Sequence, residues 1–93
     1  MKTAVQTSPQ GYADVLEEVA VERKLIVHND EVNTFDWVIE TLVEICKHSH
    51  EQAEQCAYII HSKGKYAVKH GDYKKLSPMK DAISERGINV TIE

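Results

Sequence analysis

Residues 25–42 read LIVHNDEVNTFDWVIETL, and the fold depends on a change of pattern inside this stretch. Residues 24–28 form a short apolar run that ends at a polar turn, which is typical of a β-strand. Asn33 is a good N-cap for the helix that follows, and Asp36 three residues later completes a variant of the capping box. The stretch therefore predicts a strand, a polar loop and a helix that begins after Asn33.

The first helix is predicted to run to about residue 48 and to bury one face. Val32, which precedes the cap, is expected to pack on Trp37 as a hydrophobic staple. The apolar residues of this helix recur at helical spacing, and the predicted buried face consists of Trp37, Val38, Thr41, Leu42, Ile45 and Cys46.

A second helix is expected to start at Ser49, because Gln52 three residues later fits the capping box. Gly64 is its predicted end, since glycine is common just after a helix. The residues that recur on one face of this helix are Ala53, Cys56, Ala57, Ile60 and His61.

The remainder of the chain predicts a strand, a helix and a final strand. Residues 65–69 (KYAVK) alternate in polarity as a strand does, and residues 70–72 are the predicted turn after them. Ser77 and Pro78 are the predicted cap and first-turn proline of a third helix, which Gly87 ends. The last strand is expected to be half-buried, because its alternate residues are the apolar Ile88, Val90 and Ile92.

The 93 residues are enough for one small domain. The element order β-α-α-β-α-β predicts the α+β class, with three helices on one face of a three-stranded sheet. We assign this domain to residues 24–93. Residues 1–23 are polar and mixed, with a Ser-Pro-Gln-Gly cluster at 8–11, and predict a flexible N-terminal tail.

The composition favours a cytoplasmic protein whose partners are other proteins. A net charge of −4 makes the chain a poor non-specific binder of nucleic acid or of anionic membranes. No apolar run typical of a signal peptide or a membrane span follows Met1. Cys46 and Cys56 are the only cysteines, and we expect two buried thiols rather than a disulfide framework.

Two features are candidates for function. Asn29, Asp30 and Glu31 place oxygen acceptors between a strand and a capped helix, where they could hold a cation or an ammonium group. A plain polar turn is the other interpretation of that pattern. His61 lies near the end of the second helix, and its spacing also fits a histidine at the edge of the core.

Together these residues resemble the ClpS family of adaptors. That family has a strand ending in an Asn-Asp-acidic turn, then a variable residue, usually Thr-Pro, a bulky apolar residue, an acidic residue, an aromatic residue and Val. Residues 29–38 here are NDEVNTFDWV. The family also has a helix that closes with His, two variable residues, Gly and a basic residue, and residues 61–65 here are HSKGK. The resemblance covers residues 24–93.

The resemblance implies an adaptor, not an enzyme, that grips the free N-terminus of a client protein. Asn29, Asp30 and His61 would bind the client's α-ammonium group, whose three N–H donors need three acceptors. The client's first side chain would enter an apolar pocket, whose expected wall is Phe35, Val38, Ala57 and Ile60. No cofactor is expected, because such recognition uses only hydrogen bonds and burial.

The implied partners are a Clp-family AAA+ unfoldase, ClpA- or ClpC-like, and clients that begin with Leu, Phe, Tyr or Trp. The chain departs from the family pattern in three places. Asn33-Thr34 replaces Thr-Pro, so the rigidity of the proline is lost. Ala57 replaces the Met that commonly gates the pocket, and a wider pocket is expected to admit Ile and Val. Residues 69–75 (KHGDYKK) are basic where the family tends to have an acidic docking helix.

Three alternatives stay open at this point. Cys46, His48 and His50 cluster where two helices join and have side chains that zinc prefers, although no CxxC or HExxH spacing is present. A cysteine nucleophile is available, but the chain has no glycine elbow or phosphate loop that would favour an enzyme. The third alternative is a protein-interaction domain of the same fold that does not recognise N-termini.

Overall fold

The computed structural model describes residues 21–93, and its six elements follow the predicted order. They are strand β1 (Arg23–His28), helices α1 (Phe35–Cys46) and α2 (His50–Lys63), strand β2 (Lys65–Gly71), helix α3 (Tyr73–Glu85) and strand β3 (Val90–Ile92). The predicted α+β domain with three helices and a three-stranded sheet is confirmed. Of the predicted tail, residues 1–20 lie outside the described residues, and Arg23 already belongs to β1.

Strand β1 lies at the centre of the sheet, whose order is β2-β1-β3 with both pairs antiparallel. Its position explains its sequence, because a strand with neighbours on both sides buries consecutive apolar residues, here Leu25, Ile26 and Val27. Since β1 is held on both edges, the polar loop that follows His28 starts from a fixed point.

The start of α1 differs from the prediction by one residue. Thr34 is the N-cap, and its hydroxyl accepts a hydrogen bond from the backbone N–H of Trp37 at 3.0 Å. Asn33 instead bonds the Asp30 carboxylate through both its backbone and its side chain, so it is not available as a cap. The predicted staple is also wrong, because Val32 is 87% exposed.

The join between α1 and α2 is short. Helix α1 ends at Cys46, two residues earlier than predicted, because Lys47 takes the left-handed conformation with φ 62°. The predicted capping box is confirmed: Ser49 Oγ accepts from Gln52 N at 3.1 Å, and Gln52 Oε1 accepts from Ser49 N at 3.4 Å. Gly64 ends α2 with φ 95°, a conformation that glycine adopts without steric cost.

Helix α3 starts earlier than its proline suggests. Asp72 is the N-cap, with its carboxylate accepting from Lys75 N at 2.8 Å, so Ser77 is not the cap and the predicted turn is already partly β2. Pro78 therefore lies inside the helix rather than in its first turn, and it cannot donate to the carbonyl of Lys74. The cap of the helix therefore lies five residues before the predicted cap.

One hydrophobic core joins the helices to the sheet. Its largest fully buried apolar side chains come from β1, α1 and α3: Leu25, Val27, Leu42, Leu76 and Ile83. Thr41 is also fully buried, and its hydroxyl accepts from the guanidinium of Arg86 at 3.4 Å. Within residues 21–93, no helix is long and apolar enough to cross a membrane.

Candidate functional site

A pocket of about 400 Å³ opens between the β1–α1 loop and the last turns of α2. All seven residues that the sequence indicated line it: Asn29, Asp30, Phe35, Val38, Ala57, Ile60 and His61. Glu31, Asn33 and Thr34 complete the lining. The structure thus brings together two segments, residues 29–38 and 57–61, that are separated along the chain by most of α1 and half of α2.

The apolar part of the pocket lies between the two helices. Phe35 and Val38 come from the first turn of α1, and Ala57 and Ile60 come from one face of α2. Ala57 and Ile60 are both 3% exposed, whereas Phe35 is 39% exposed and stands at the rim. Ala57 contributes only a methyl group to the α2 side of the wall.

The polar part of the pocket contains an ordered carboxylate. Asp30 Oδ1 accepts hydrogen bonds from the backbone N–H groups of Val32 and Asn33, both at 2.9 Å, and Oδ2 accepts from the side-chain amide of Asn33 at 2.8 Å. These bonds, led by the one from Asn33 N, lower the pKa of Asp30 despite the opposing effect of burial. A negative charge is therefore fixed at this end of the pocket.

The loop that carries Asp30 is hydrogen-bonded to the turn that follows α3. Asn33 Nδ2 also donates to the carbonyl of Gly87 at 3.0 Å. Beside it, Trp37 Nε1 donates to the carbonyl of Arg86 at 3.1 Å, and the Arg86 guanidinium lies 5.3 Å from the centre of the Trp37 ring. The turn after α3 thereby supports the loop. The sequence did not indicate this role for Asn33, because an asparagine at this position was interpreted as the N-cap of α1.

Asn29 and His61 are held on the same side of the pocket by a backbone contact. The N–H of Asn29 donates to the carbonyl of Gly64 at 2.8 Å, which joins the end of β1 to the C-cap of α2. Both side chains are exposed, and neither makes a hydrogen bond to another described residue. Their polar atoms are therefore free to meet a ligand in the pocket.

The arrangement suits a compact cation attached to an apolar group. The Asp30 and Glu31 carboxylates, the Asn29 amide oxygen and a neutral imidazole of His61 supply acceptors at one end. Helix α2 also finishes there, and the partial negative charge at a helix C-terminus favours a cation. A ligand that carries an ammonium group next to a hydrophobic side chain would satisfy both ends.

The alternative metal cluster is not assembled. Among residues 21–93, no group of three or more His, Cys, Asp and Glu side chains is placed to hold a metal ion. Cys46 and Cys56 are free and buried, as predicted. Burial raises the pKa of Cys46 to about 11, so its sulfur is a thiol at neutral pH, and metals and electrophiles react with the thiolate.

Two comparisons with known proteins found matches. The sequence model of a family described as ATP-dependent Clp protease adaptor protein ClpS matches residues 21–91. Among solved structures, the fold resembles Agrobacterium tumefaciens ClpS2 bound to L-phenylalaninamide, with a TM-score of 0.66 and 19% sequence identity. That match covers 77% of this chain and 94% of the other. No curated protein sequence matches the chain.

Proposed function

The chain belongs to the ClpS family of adaptors for ATP-dependent Clp proteases, and we propose that it binds the free N-terminus of client proteins and delivers them to a Clp-type AAA+ unfoldase–peptidase. One observation carries this proposal: a single pocket has an acceptor-rich end and an apolar end. The family description is that of an adaptor rather than a protease. The protein would therefore select clients and leave their cleavage to its partner.

In the proposed complex, the client's α-ammonium group lies at the acceptor-rich end. Its three N–H donors would reach Asn29, His61 and the ordered carboxylate of Asp30. Asp30 already accepts three hydrogen bonds, and an ionised carboxylate has about four acceptor positions, so one is left for the client. An acetylated N-terminus has lost its charge and two of these donors, so it should be rejected.

The client's first side chain would fill the apolar end, between Phe35, Val38, Ala57 and Ile60. Full burial of a Leu- or Phe-sized side chain contributes about 1.5–3 kcal/mol. Each hydrogen bond to the charged amine adds about 1.5–3 kcal/mol. After the cost of association, the dissociation constant should be on the order of micromolar.

The small side chain of Ala57 should widen the range of first residues that the pocket accepts. We expect clients that begin with Leu, Phe, Tyr or Trp, and also with Ile or Val, because a β-branched side chain needs width close to its own backbone. The bound phenylalaninamide of Agrobacterium ClpS2 has a free amine beside a phenyl side chain. That ligand has the two groups that the two ends of this pocket would accept.

The unfoldase partner would be ClpA- or ClpC-like. The basic segment of residues 69–75 spans the end of β2 and the start of α3, away from the pocket. An unfoldase that docks there should present acidic residues, since like charges facing each other across an interface oppose binding.

The direct test is fluorescence anisotropy with two labelled peptides that both begin with Leu, one with a free amine and one acetylated. Micromolar binding of the free peptide alone would support recognition of the N-terminus. Failure of both peptides to bind would favour the alternative, a protein-interaction domain of the same fold. Delivery is tested separately by adding a ClpA- or ClpC-type unfoldase with its peptidase and following loss of a client that begins with Leu.

A further inference from the structure

A second groove, here called the Tyr58 groove, lies beside the pocket on the other side of Phe35. Its volume is about 490 Å³, and its lining residues are Phe35, Glu54, Gln55, Tyr58 and Ile59. Phe35 also lines the first pocket, so the two spaces share a wall. Tyr58 is 65% exposed, and with Phe35 it leaves a contiguous aromatic surface open to solvent.

The chemistry of the Tyr58 groove favours a cation on an apolar stem. Glu54 is the only charged residue among the described residues that line it. The faces of Tyr58 and Phe35 attract a cation through their π-electrons, and a guanidinium group stacks on such rings. Gln55 adds an amide oxygen that can accept a hydrogen bond. An arginine side chain would place its stem on the rings and its charge beside Glu54.

The position of the groove fixes which client residue could reach it. Helix α2 passes both sites, with His61 at the amine-binding end and Glu54 in the groove, and the seven residue steps between them rise about 10 Å. About three residues of extended chain cover that distance. In an extended chain, the first and third side chains also point to the same side, about 7 Å apart.

We propose that the Tyr58 groove is a subsite for a cationic side chain, preferably arginine, at the third residue of the client. This proposal rests on the proposed function, because it needs the client's amine at the acceptor-rich end. The subsite would favour clients whose first residue is hydrophobic and whose third residue is basic.

The test uses three labelled peptides with free amines, which begin Leu-Ala-Arg, Leu-Ala-Gln and Leu-Ala-Glu and are otherwise identical. The Arg peptide should bind about two- to fivefold more tightly than the Gln peptide, as for a partly exposed charge contact. The Glu peptide should bind more weakly than both. Glu54→Gln should remove the Arg advantage and leave the Gln peptide unchanged. Glu85→Gln removes the same charge from the end of α3, at a residue that lines neither space, and should keep the advantage.

Two results would overturn the subsite while the proposed function stands: equal binding of the three peptides, or an Arg advantage that persists in Glu54→Gln. Tyr58→Ser gives a second check, because this exposed side chain can be shortened without disturbing the core, and it should also reduce the advantage. Failure of all three free-amine peptides to bind would instead reject the proposed function, and the subsite with it.

Discussion

The side-chain amide of Asn33 lies 2.8 Å from Oδ2 of Asp30 and orients that carboxylate at the edge of the pocket. The same amide reaches the carbonyl of Gly87 at 3.0 Å, in the turn between α3 and β3. One side chain thus connects the acceptor-rich end of the site to an element far away in sequence. The carboxylate is aligned without a ligand, which would reduce the entropy cost of binding one.

Asn33→Ala should weaken both the fold and the site. It removes two side-chain hydrogen bonds, and a typical bond contributes about 0.5–1.5 kcal/mol to stability. We expect a loss of about 1–2 kcal/mol in the free energy of unfolding, measured with urea, and several-fold weaker binding of a free-amine Leu peptide. Asn89→Ala is the matched control, because Asn89 is exposed and does not line the pocket. Equal binding by the two variants would contradict the orienting role of Asn33.

His61→Ala and Asn29→Ala should each weaken peptide binding without unfolding the protein, since both side chains are exposed. Loss of one hydrogen bond to a charged group corresponds to about a 10- to 100-fold higher dissociation constant. Anisotropy with the Leu peptide measures this change. His50→Ala alters an exposed histidine at the other end of α2 and should bind as the parent does. Parent-like binding by His61→Ala would remove that residue from the proposed site.

Ala57→Met should narrow the pocket. The longer side chain would occupy space next to Phe35 and Val38, where we expect the branch of an Ile or Val side chain. The variant should keep its affinity for a Leu peptide within a few-fold and lose about tenfold or more for Ile and Val peptides, as overpacking costs about 1–3 kcal/mol. A melting curve must accompany the binding data, because Ala57 is buried. Undiminished binding of the Ile peptide would show that this position does not select the first residue.

Stability should fall in mild acid because of His48. Its Nδ1 is buried, and a backbone contact with Val68 only partly opposes the effect of that burial on the pKa. Burial chiefly, together with the positive charge of Lys69, lowers the pKa of His48 below 6.5. The unfolded chain therefore binds a proton at a higher pH than the folded chain, so stability is complete above the unfolded pKa of about 6.5 and declines as the pH falls below it. The pKa of Asp30 is also lowered in the folded chain, so protonation of its carboxylate should cause a second loss of stability below about pH 4.

Urea unfolding of the parent and of His48→Gln, at about pH 7.5 and about pH 5.5, separates these effects. The parent should lose stability at the lower pH, and the variant should lose less because it has no proton to take up at this position. A parent whose unfolding midpoint is the same at both values would show that His48 does not control stability.

The order of the elements was predictable from the sequence because it depends on local patterns, whereas the candidate pocket residues were indicated by the resemblance to the ClpS family. The capping box of Ser49 and Gln52 and the glycine after α2 are local signals, and both are present in the structure. The predicted caps of α1 and α3, Asn33 and Ser77, were wrong, since neighbouring polar residues compete for the cap. Thr34 and Asp72 took those positions because Asn33 was engaged by Asp30 and because Asp72 precedes Ser77 along the chain.

The contacts that sequence reasoning could not find are long-range. Asn33 meets Gly87, Trp37 meets Arg86, and the N–H of Asn29 meets the carbonyl of Gly64. No spacing rule joins residues so far apart, and their meeting depends on how the sheet and helices pack. The Tyr58 groove is of the same kind, because it requires Phe35 of α1 to stand beside the exposed face of α2.

The pocket is built from only two short segments, residues 29–38 and 57–61, at one end of the α1–α2 pair. The basic segment of residues 69–75 spans the end of β2 and the start of α3 and contributes no residue to the pocket. Under the proposed function, with clients in the pocket and an unfoldase on the basic segment, selection could change the two binding preferences independently. A lineage could keep the client repertoire while changing its protease, or widen that repertoire at a single position without rebuilding the scaffold.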